Sequence, residues 1–318
     1  MFVDLPLEEL REYRPAVAEP DDFDAFWAER MAEARALGGD ATFVPAETPL
    51  RHAEVLDVTF PGHAGDPVKG WLFIPRDLEP GKPLVVEYVG YGGGRGHPLD
   101  WLPLVSAGHP HFVMDTRGQG GGWRGADTPD PGDGGAPSTP GFMTRGIADP
   151  RTYYYTRLYV DAVRAVDAVR THPVAEARPL ATAGASQGGA LALAAAAHAG
   201  DVAAALPDVP FLAHLRRAVQ ITDAKPFGEL IDYGSVHPDR VEHVFATLAY
   251  IDAVNHARRA TARALFSVGL IDDITPASTV FAAYNHYAGP KEIAVYPFNG
   301  HEGGGTRHRL AQLAFLAG

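Results

Sequence analysis

The sequence predicts an α/β protein with a mostly parallel central sheet and helices on both faces. From about residue 83 to the C-terminus, short β-rich runs alternate with stretches of helical periodicity, which is the pattern of parallel strands joined by helices. A length of 318 residues is ample for a substantial core, and the 46% apolar and 21% charged residues are typical of globular proteins. No repeat or linker divides the chain, so a single domain spanning 1–318 is expected.

The first 80 residues are predicted to form an N-terminal extension ahead of this alternation. Helical spacing of apolar residues covers 7–13 and 21–37, and Gly38-Gly39 gives a stop signal. Alternating apolar residues at 53–60 and 68–74, with turn residues between them, predict an antiparallel hairpin at the edge of the sheet.

The rest of the chain supplies the alternating elements. Strands are predicted at 83–88, 111–114, 179–183, 264–270 and 292–296. Helices are predicted at 151–170, 190–199, 281–287 and 310–316. Proline, glycine and aspartate dominate 126–141, which predicts an irregular segment, and 206–260 is interpreted as a helical insertion.

Charge and composition exclude several classes of function. The 27 basic and 39 acidic residues give a net charge of −12, which disfavours nucleic acid and anionic membranes as partners. The absence of cysteine excludes disulfides, thiolate zinc sites, iron–sulfur clusters and a cysteine nucleophile. Neither a secretory signal pattern nor an apolar run of about 18 residues is present, so a cytoplasmic protein is expected.

The segment Gly184-Ala185-Ser186-Gln187-Gly188 fits the G-x-S-x-G pattern of a nucleophile elbow. This pattern is a strand-to-helix turn so tight that only small residues fit beside the serine. A predicted strand precedes the segment and an alanine-rich helix follows it. Ser186 would then lie at a helix N-terminus, where backbone N–H groups favour developing negative charge.

A serine needs a base, and the base needs an orienting acid. In the α/β-hydrolase fold these follow in the order serine, acid, histidine, at the ends of successive strands. Asp272 or Asp273 ends the strand 264–270, and His301 follows the strand 292–296. The sequence therefore predicts a Ser-Asp-His triad, with both aspartates open as the acid.

Two backbone donors are expected for the oxyanion of the reaction intermediate. The residue after the nucleophile, Gln187, supplies one, and the glycine-rich loop 90–96 supplies the other. Tyr91 is the predicted donor in this loop.

Two further patterns are weaker. Residues 120–125 fit G-x-G-x-x-G, but no helix follows, which disfavours a dinucleotide site. His301-Glu302 starts like an H-E-x-x-H zinc motif, but Gly305 stands where the second histidine is needed. Neither a metal nor a cofactor is predicted.

The chain resembles carbohydrate esterase family 7, the acetyl xylan esterase and cephalosporin-C deacetylase group of the α/β-hydrolase superfamily. The resemblance covers nearly the whole chain. It is carried by Asp4-Leu5-Pro6-Leu7-Glu8-Glu9-Leu10, Gly93-Gly94-Arg95-Gly96, Met114-Asp115-Thr116-Arg117-Gly118-Gln119-Gly120, the elbow at 184–189 and His301-Glu302. The Arg117-Gly118-Gln119 motif is the most distinguishing, because most serine esterases lack it.

The resemblance implies a role for each matching residue. Ser186 is the nucleophile, His301 the base and Asp272, rather than Asp273, the acid. Tyr91 and Gln187 form the oxyanion hole. Arg117 and Gln119 brace the active-site loops without reacting.

The resemblance also implies a substrate class and an assembly. The expected activity is deacetylation of small acetylated substrates, such as acetylated xylo-oligosaccharides and cephalosporin C, through an acyl-enzyme. The expected assembly is a homo-hexamer whose active sites face an internal cavity. The sequence departs from the family at Gly92, where asparagine is common, and at Thr275-Pro276-Ala277, which replaces a Cys-Pro-Pro stretch.

Two alternatives stay open at this point. One is another hydrolase of the same fold, a peptidase or an esterase with a different acyl preference. The other is a hydrolase-fold protein that binds a ligand or partner without catalysis.

Overall fold

One nine-stranded sheet forms the centre of the computed structural model, which describes residues 4–131 and 137–318. The strands are β1 (Thr42–Pro45), β2 (Ala53–Pro61), β3 (Pro67–Pro75), β4 (Leu84–Tyr88), β5 (His111–Met114), β6 (Leu180–Ala185), β7 (Val202–Asp208), β8 (Arg263–Gly269) and β9 (Lys291–Tyr296). Their order in the sheet is β1-β2-β3-β5-β4-β6-β7-β8-β9.

Most of this sheet is parallel. Strands β4 to β9 pair in parallel with their neighbours, whereas β1, β2 and β3 form an antiparallel flank that joins the rest through β5. Every residue of β4 and β5 is buried, as expected for strands covered on both faces. The predicted α/β class with a mostly parallel sheet is confirmed.

Eleven α-helices are found in the described part of the chain. They are α1 (Leu7–Glu12), α2 (Phe23–Ala36), α3 (Leu102–Ser106), α4 (Tyr154–Arg170), α5 (Gln187–His198), α6 (Leu215–Ile221), α7 (Phe227–Val236), α8 (Val241–Ala249), α9 (Ala253–Ala257), α10 (Ala277–His286) and α11 (Gly305–Ala317). None of these helices is long and apolar enough to cross a membrane.

The helices cover both faces of the sheet, as successive residues of β4 show. Val86 points into the large core that includes α4 and α5, whereas Val85 points into a separate cluster with Leu104 of α3 and Leu316 of α11. Because helices cover both faces, the carboxyl ends of the parallel strands lie between two helical layers. The loops that follow these strands can carry functional side chains.

The structure differs from the predicted elements in several places. The hairpin β2–β3 is not at the sheet edge, because β1 pairs outside β2. The predicted insertion 206–260 overlaps the end of β7, so its helices α6 to α9 begin only after Asp208. The irregular segment predicted at 126–141 includes residues 132–136, which lie outside the described residues.

The N-terminal extension packs tightly against the predicted insertion. Trp27 of α2 is fully buried, and its Nε1 donates a hydrogen bond of 3.0 Å to the Tyr250 carbonyl after α8. Its ring stacks on His198 of α5 at 5.4 Å between centroids. The extension and the helices 215–257 therefore share a core with the central sheet.

Candidate active site

Ser186 lies at a sharp turn between β6 and α5. It has φ 57° and ψ −119°, in a region that non-glycine residues seldom occupy. Its carbonyl oxygen accepts hydrogen bonds from the N–H groups of Gly189 and Ala190 in α5 and from Phe211. These bonds hold the strained residue in place, and Ser186 as a whole is 9% exposed.

The two glycines of the elbow are required by close backbone approaches. A Cβ on Gly184 would lie 2.4 Å from the carbonyl carbon of Gly188. A Cβ on Gly188 would lie 2.2 Å from the carbonyl oxygen of Tyr88. Both neighbours are backbone atoms that cannot move aside. The turn therefore requires glycine at positions 184 and 188.

The Gly188→Ala substitution is therefore expected to destabilise the protein by about 3 kcal/mol or more, since overpacking here must displace the backbone of β4 or α5. Urea unfolding measures the loss. Gly125→Ala is the matched control, because a Cβ there meets nothing within 4 Å. Equal stability of the two variants would contradict this description of the elbow.

His301 and Asp272 form a hydrogen-bonded pair at the carboxyl end of the sheet. The His301 Nδ1 lies 2.9 Å from Asp272 Oδ2. Asp272 is fully buried, and its Oδ1 accepts the N–H groups of Ile274 at 2.8 Å and Thr275 at 2.9 Å. Since a carboxylate held by such donors has a fixed orientation, it can keep the proton of His301 on Nδ1 and leave Nε2 as a base.

The neighbouring aspartate has a different environment. Asp273 is exposed, and its backbone carbonyl accepts a hydrogen bond from Thr222 Oγ1. The residue pattern alone does not distinguish the two aspartates, and the family resemblance favours Asp272. In the structure it is Asp272 that contacts His301.

Ser186 and His301 line the same cavity, which has a volume of about 390 Å³. Within the described residues, no hydrogen bond joins the Ser186 hydroxyl to the His301 ring. Contacts of this kind are often long in the absence of substrate and shorten in the bound complex. The other side chains lining the cavity include Tyr91, Trp101, Trp123, Arg124, Lys225, Pro226 and Ile274.

The two predicted oxyanion donors lie in different elements: Tyr91 lines this cavity, and Gln187 directly follows Ser186, which lines it too. Gln187 is the first residue of α5, and Tyr91 lies in the loop after β4. Neither backbone N–H makes a hydrogen bond to the backbone or side chains that the structure describes. Both therefore have a donor available for an oxyanion.

Gln119 links the two donor segments. Its Oε1 accepts the Gly92 N–H at 2.6 Å, next to Tyr91, and its Nε2 donates to Gln187 Oε1 at 2.9 Å. The same Nε2 also donates to the Tyr154 hydroxyl at 2.9 Å. All of these contacts are buried, so Gln119 fixes the distance between the loop 90–96 and the start of α5.

Arg117 is fully buried among carboxylates. It forms a two-pronged contact with Asp161 of α4, including a 2.9 Å bond from Nη2, and its Nη1 donates to Asp66 at 3.0 Å and Asp130 at 3.2 Å. Burial alone would lower the pKa of Arg117, but these carboxylates raise it above its ordinary value. The contacts join α4 to two loops, which supports the predicted bracing role.

Sequence reasoning missed two side chains that contact the predicted site residues. Thr275 Oγ1 donates to Asp272 Oδ2 at 2.7 Å and lies 3.3 Å from His301 Nδ1. Glu229 of α7 accepts a hydrogen bond of 2.6 Å from the Tyr91 hydroxyl. In the sequence, Thr275 stands out only as a departure from the family, and Glu229 has no motif around it.

Over residues 4–131 and 137–318, no group of three or more histidine, aspartate or glutamate side chains is arranged to hold a metal ion. The structure contributes backbone donors, a carboxylate, an imidazole and a hydroxyl around one cavity. This set can perform acyl transfer through a serine.

Comparisons with known proteins point in the same direction. The acetyl xylan esterase (AXE1) family matches residues 1–318. The acetyl esterase Axe7A of Xylanibacter ruminicola is 31% identical over 166 residues, which are 51% of this chain and 36% of that protein. The chain thus spans about a third of the length of this curated relative.

Two solved structures are similar over nearly their full lengths. The acetyl xylan esterase from Paenibacillus sp. R4 has a TM-score of 0.90 and 39% identity, with 98% of this chain and 99% of that one covered. Acetyl xylan esterase 1 from Thermoanaerobacterium sp. JW/SL YS485 has a TM-score of 0.89 and 32% identity, with 99% of both chains covered. The predicted α/β-hydrolase fold is confirmed.

Proposed function

Because the chain belongs to the acetyl xylan esterase family, we propose that it is a carboxylic ester hydrolase that removes acetyl groups from small acetylated sugars. The observation that carries the proposal is His301, which pairs with the buried Asp272 and shares a cavity with a serine on a strained elbow. A serine on such a turn, beside an oriented imidazole, is the arrangement of an activated nucleophile.

In the first half of the reaction, the Ser186 oxygen attacks the acetyl carbonyl carbon while His301 Nε2 takes the hydroxyl proton. The carbonyl oxygen becomes an oxyanion, stabilised by the N–H groups of Gln187 and Tyr91. Asp272 stabilises the imidazolium through Nδ1. The carbon–oxygen bond of the ester then breaks, and His301 returns the proton to the leaving alcohol.

In the second half, water replaces the alcohol. His301 takes a proton from this water, and the resulting hydroxide attacks the acetyl carbon of the acyl-enzyme. The bond to Ser186 breaks, acetate leaves and the serine recovers its proton. The balance is one ester and one water converted to one acetate, one proton and one alcohol.

The cavity supports a small acyl group. Trp101, Trp123, Pro226 and Ile274 give it apolar walls, and Trp123 is held by a 2.8 Å hydrogen bond from its Nε1 to the Tyr91 carbonyl. We infer that acetylated xylo-oligosaccharides and cephalosporin C are substrates, because their acetyl esters present a small acyl group on a larger alcohol.

A series of p-nitrophenyl esters from acetyl to octanoyl tests the acyl preference. We expect kcat/KM to be highest for acetyl and at least about tenfold lower for octanoyl, because added methylenes must fit a walled cavity. Cephalosporin C, xylose tetra-acetate and polymeric acetylxylan extend the series to natural leaving groups.

The two alternative functions, another hydrolase activity and binding without catalysis, give different results with the same series of esters. A maximum at octanoyl, or cleavage of peptide substrates only, would replace the acetyl assignment with another hydrolase activity. No turnover of any ester would favour a hydrolase-fold protein that binds without catalysis.

We further propose a homo-hexamer, which the resemblance to carbohydrate esterase family 7 implies. The outer side of β1, at the edge of the sheet that the described residues form, and the N-terminal extension are surfaces on which such an assembly can form. Light scattering coupled to size-exclusion chromatography measures the mass directly, and a monomer at micromolar concentration would contradict this proposal.

A further inference from the structure

The side chain of Tyr91 is held by hydrogen bonds from its hydroxyl to two other parts of the chain, residues 141–142 and Glu229. Its hydroxyl accepts the N–H groups of Gly141 and Phe142, each at 3.0 Å. The same hydroxyl donates to Glu229 Oε1 at 2.6 Å. A tyrosine hydroxyl has one donor and two acceptor positions, so all three are in use.

The hydroxyl of Tyr91 therefore has no free position for a substrate oxygen, and the backbone N–H is the group left available. Burial, together with the hydrogen bond to Glu229, raises the pKa of Tyr91 above its ordinary value. The hydroxyl stays protonated and continues to donate to Glu229. The carbonyl of Tyr91 is fixed as well, because it accepts the Trp123 Nε1 hydrogen bond.

Glu229 joins this anchor to a second loop. It lies in the first turn of α7, and its Oε2 accepts the Met143 N–H at 3.0 Å. One carboxylate thus contacts both the tyrosine of the loop 90–96 and the segment 141–143. Hydrogen bonds to a carboxylate are shorter and stronger than those between neutral groups.

We propose that Glu229 is a positioning residue, which holds the Tyr91 backbone N–H in the oxyanion hole by fixing the tyrosine side chain. The inference rests on the proposed function. According to this inference, helix α7 contributes to catalysis because it carries the group that orients one of the two oxyanion donors.

The expected effect follows from preorganisation. An oxyanion donor stabilises the transition state only when it already points at the developing charge, and complete loss of one donor lowers kcat by about 10²- to 10³-fold. A donor that is displaced but still present should cost less. We therefore expect Glu229→Ala to lower kcat by about tenfold and to change KM little, because the interaction forms in the transition state.

The test compares Glu229→Ala and Glu229→Gln with Glu242→Ala. Glu242 is the matched control, since it is a glutamate of α8 that pairs with Arg216 at the surface, with 82% of its side chain exposed. The substrate is p-nitrophenyl acetate. The second probe is trifluoroacetone, a ketone whose adduct with a serine hydroxyl carries an oxyanion.

Three results together support the proposal. The Glu229→Ala variant should bind trifluoroacetone about tenfold more weakly, in parallel with its loss of kcat. The Glu229→Gln variant should recover part of both, because its amide oxygen can still accept the Tyr91 hydroxyl. The Glu242→Ala variant should match the wild type.

Wild-type kcat and ketone affinity in a folded Glu229→Ala variant would overturn the proposal. If that variant does not fold, Tyr91→Phe takes its place, because it keeps the backbone N–H and removes only the anchor. Unchanged ketone affinity in Tyr91→Phe would overturn the proposal equally. A wild-type protein that neither hydrolyses the ester nor binds the ketone would instead refute the proposed function.

Discussion

Replacing Ser186 with alanine is expected to lower kcat/KM for p-nitrophenyl acetate by about 10⁴- to 10⁶-fold. The reason is that the substitution removes the only atom that forms the covalent bond, and water must then attack the ester directly. The oxyanion donors and the cavity remain, so a small residual rate above the uncatalysed reaction is expected.

The Ser186→Ala variant should fold like the wild type. Alanine is smaller than serine, and within the described residues the hydrogen bonds of Ser186 are made by its backbone carbonyl and N–H. Ser235→Ala is the matched control, since Ser235 is exposed on α7 and donates only to the Asp232 carbonyl. A rate in Ser186→Ala within tenfold of this control would contradict a nucleophilic role for Ser186.

Replacing Asp272 with asparagine is expected to lower kcat by about 10⁴-fold near neutral pH. The backbone N–H groups of Ile274 and Thr275 hold Oδ1, so an asparagine oxygen would stay there. Its amide NH₂ would then face His301 Nδ1 and donate to it. The imidazole would carry its proton on Nε2, where it cannot accept the proton of Ser186.

Asp273→Asn makes the same chemical change one residue away. Because Asp273 is exposed and Asp272 contacts His301, the control should retain nearly full activity. Steady-state kinetics of the two variants at one pH give the comparison. Equal losses in both, or a large loss only in Asp273→Asn, would contradict the assignment of Asp272.

The site residues that the sequence predicts are those with a distinctive local motif or a distinctive position after a strand. The elbow is recognisable because a Cβ on Gly184 or Gly188 would lie 2.4 or 2.2 Å from a backbone atom, which excludes a side chain at both positions. His301 and the aspartates are recognisable because they follow strands whose carboxyl ends meet at one edge of the sheet. Local sequence and chain order suffice for these residues.

Other features depend on tertiary contacts that leave no local pattern. Strand β7 contains Ala203, Ala204 and Ala205, which favour a helix, and it becomes a strand because its core residues pack between neighbouring strands. Strand β1 is too short to show alternation. Glu229 lies 138 positions from Tyr91, so only the folded chain brings the two together.

The most direct test of the account is to locate the covalent nucleophile. The intact protein is treated with a fluorophosphonate, digested and mapped by mass spectrometry, with Ser186→Ala in parallel and p-nitrophenyl acetate as competitor. We expect one adduct on the peptide containing Ser186, absent from the variant and suppressed by the ester. An adduct at another serine, or no adduct on a protein that hydrolyses the ester, would contradict the account.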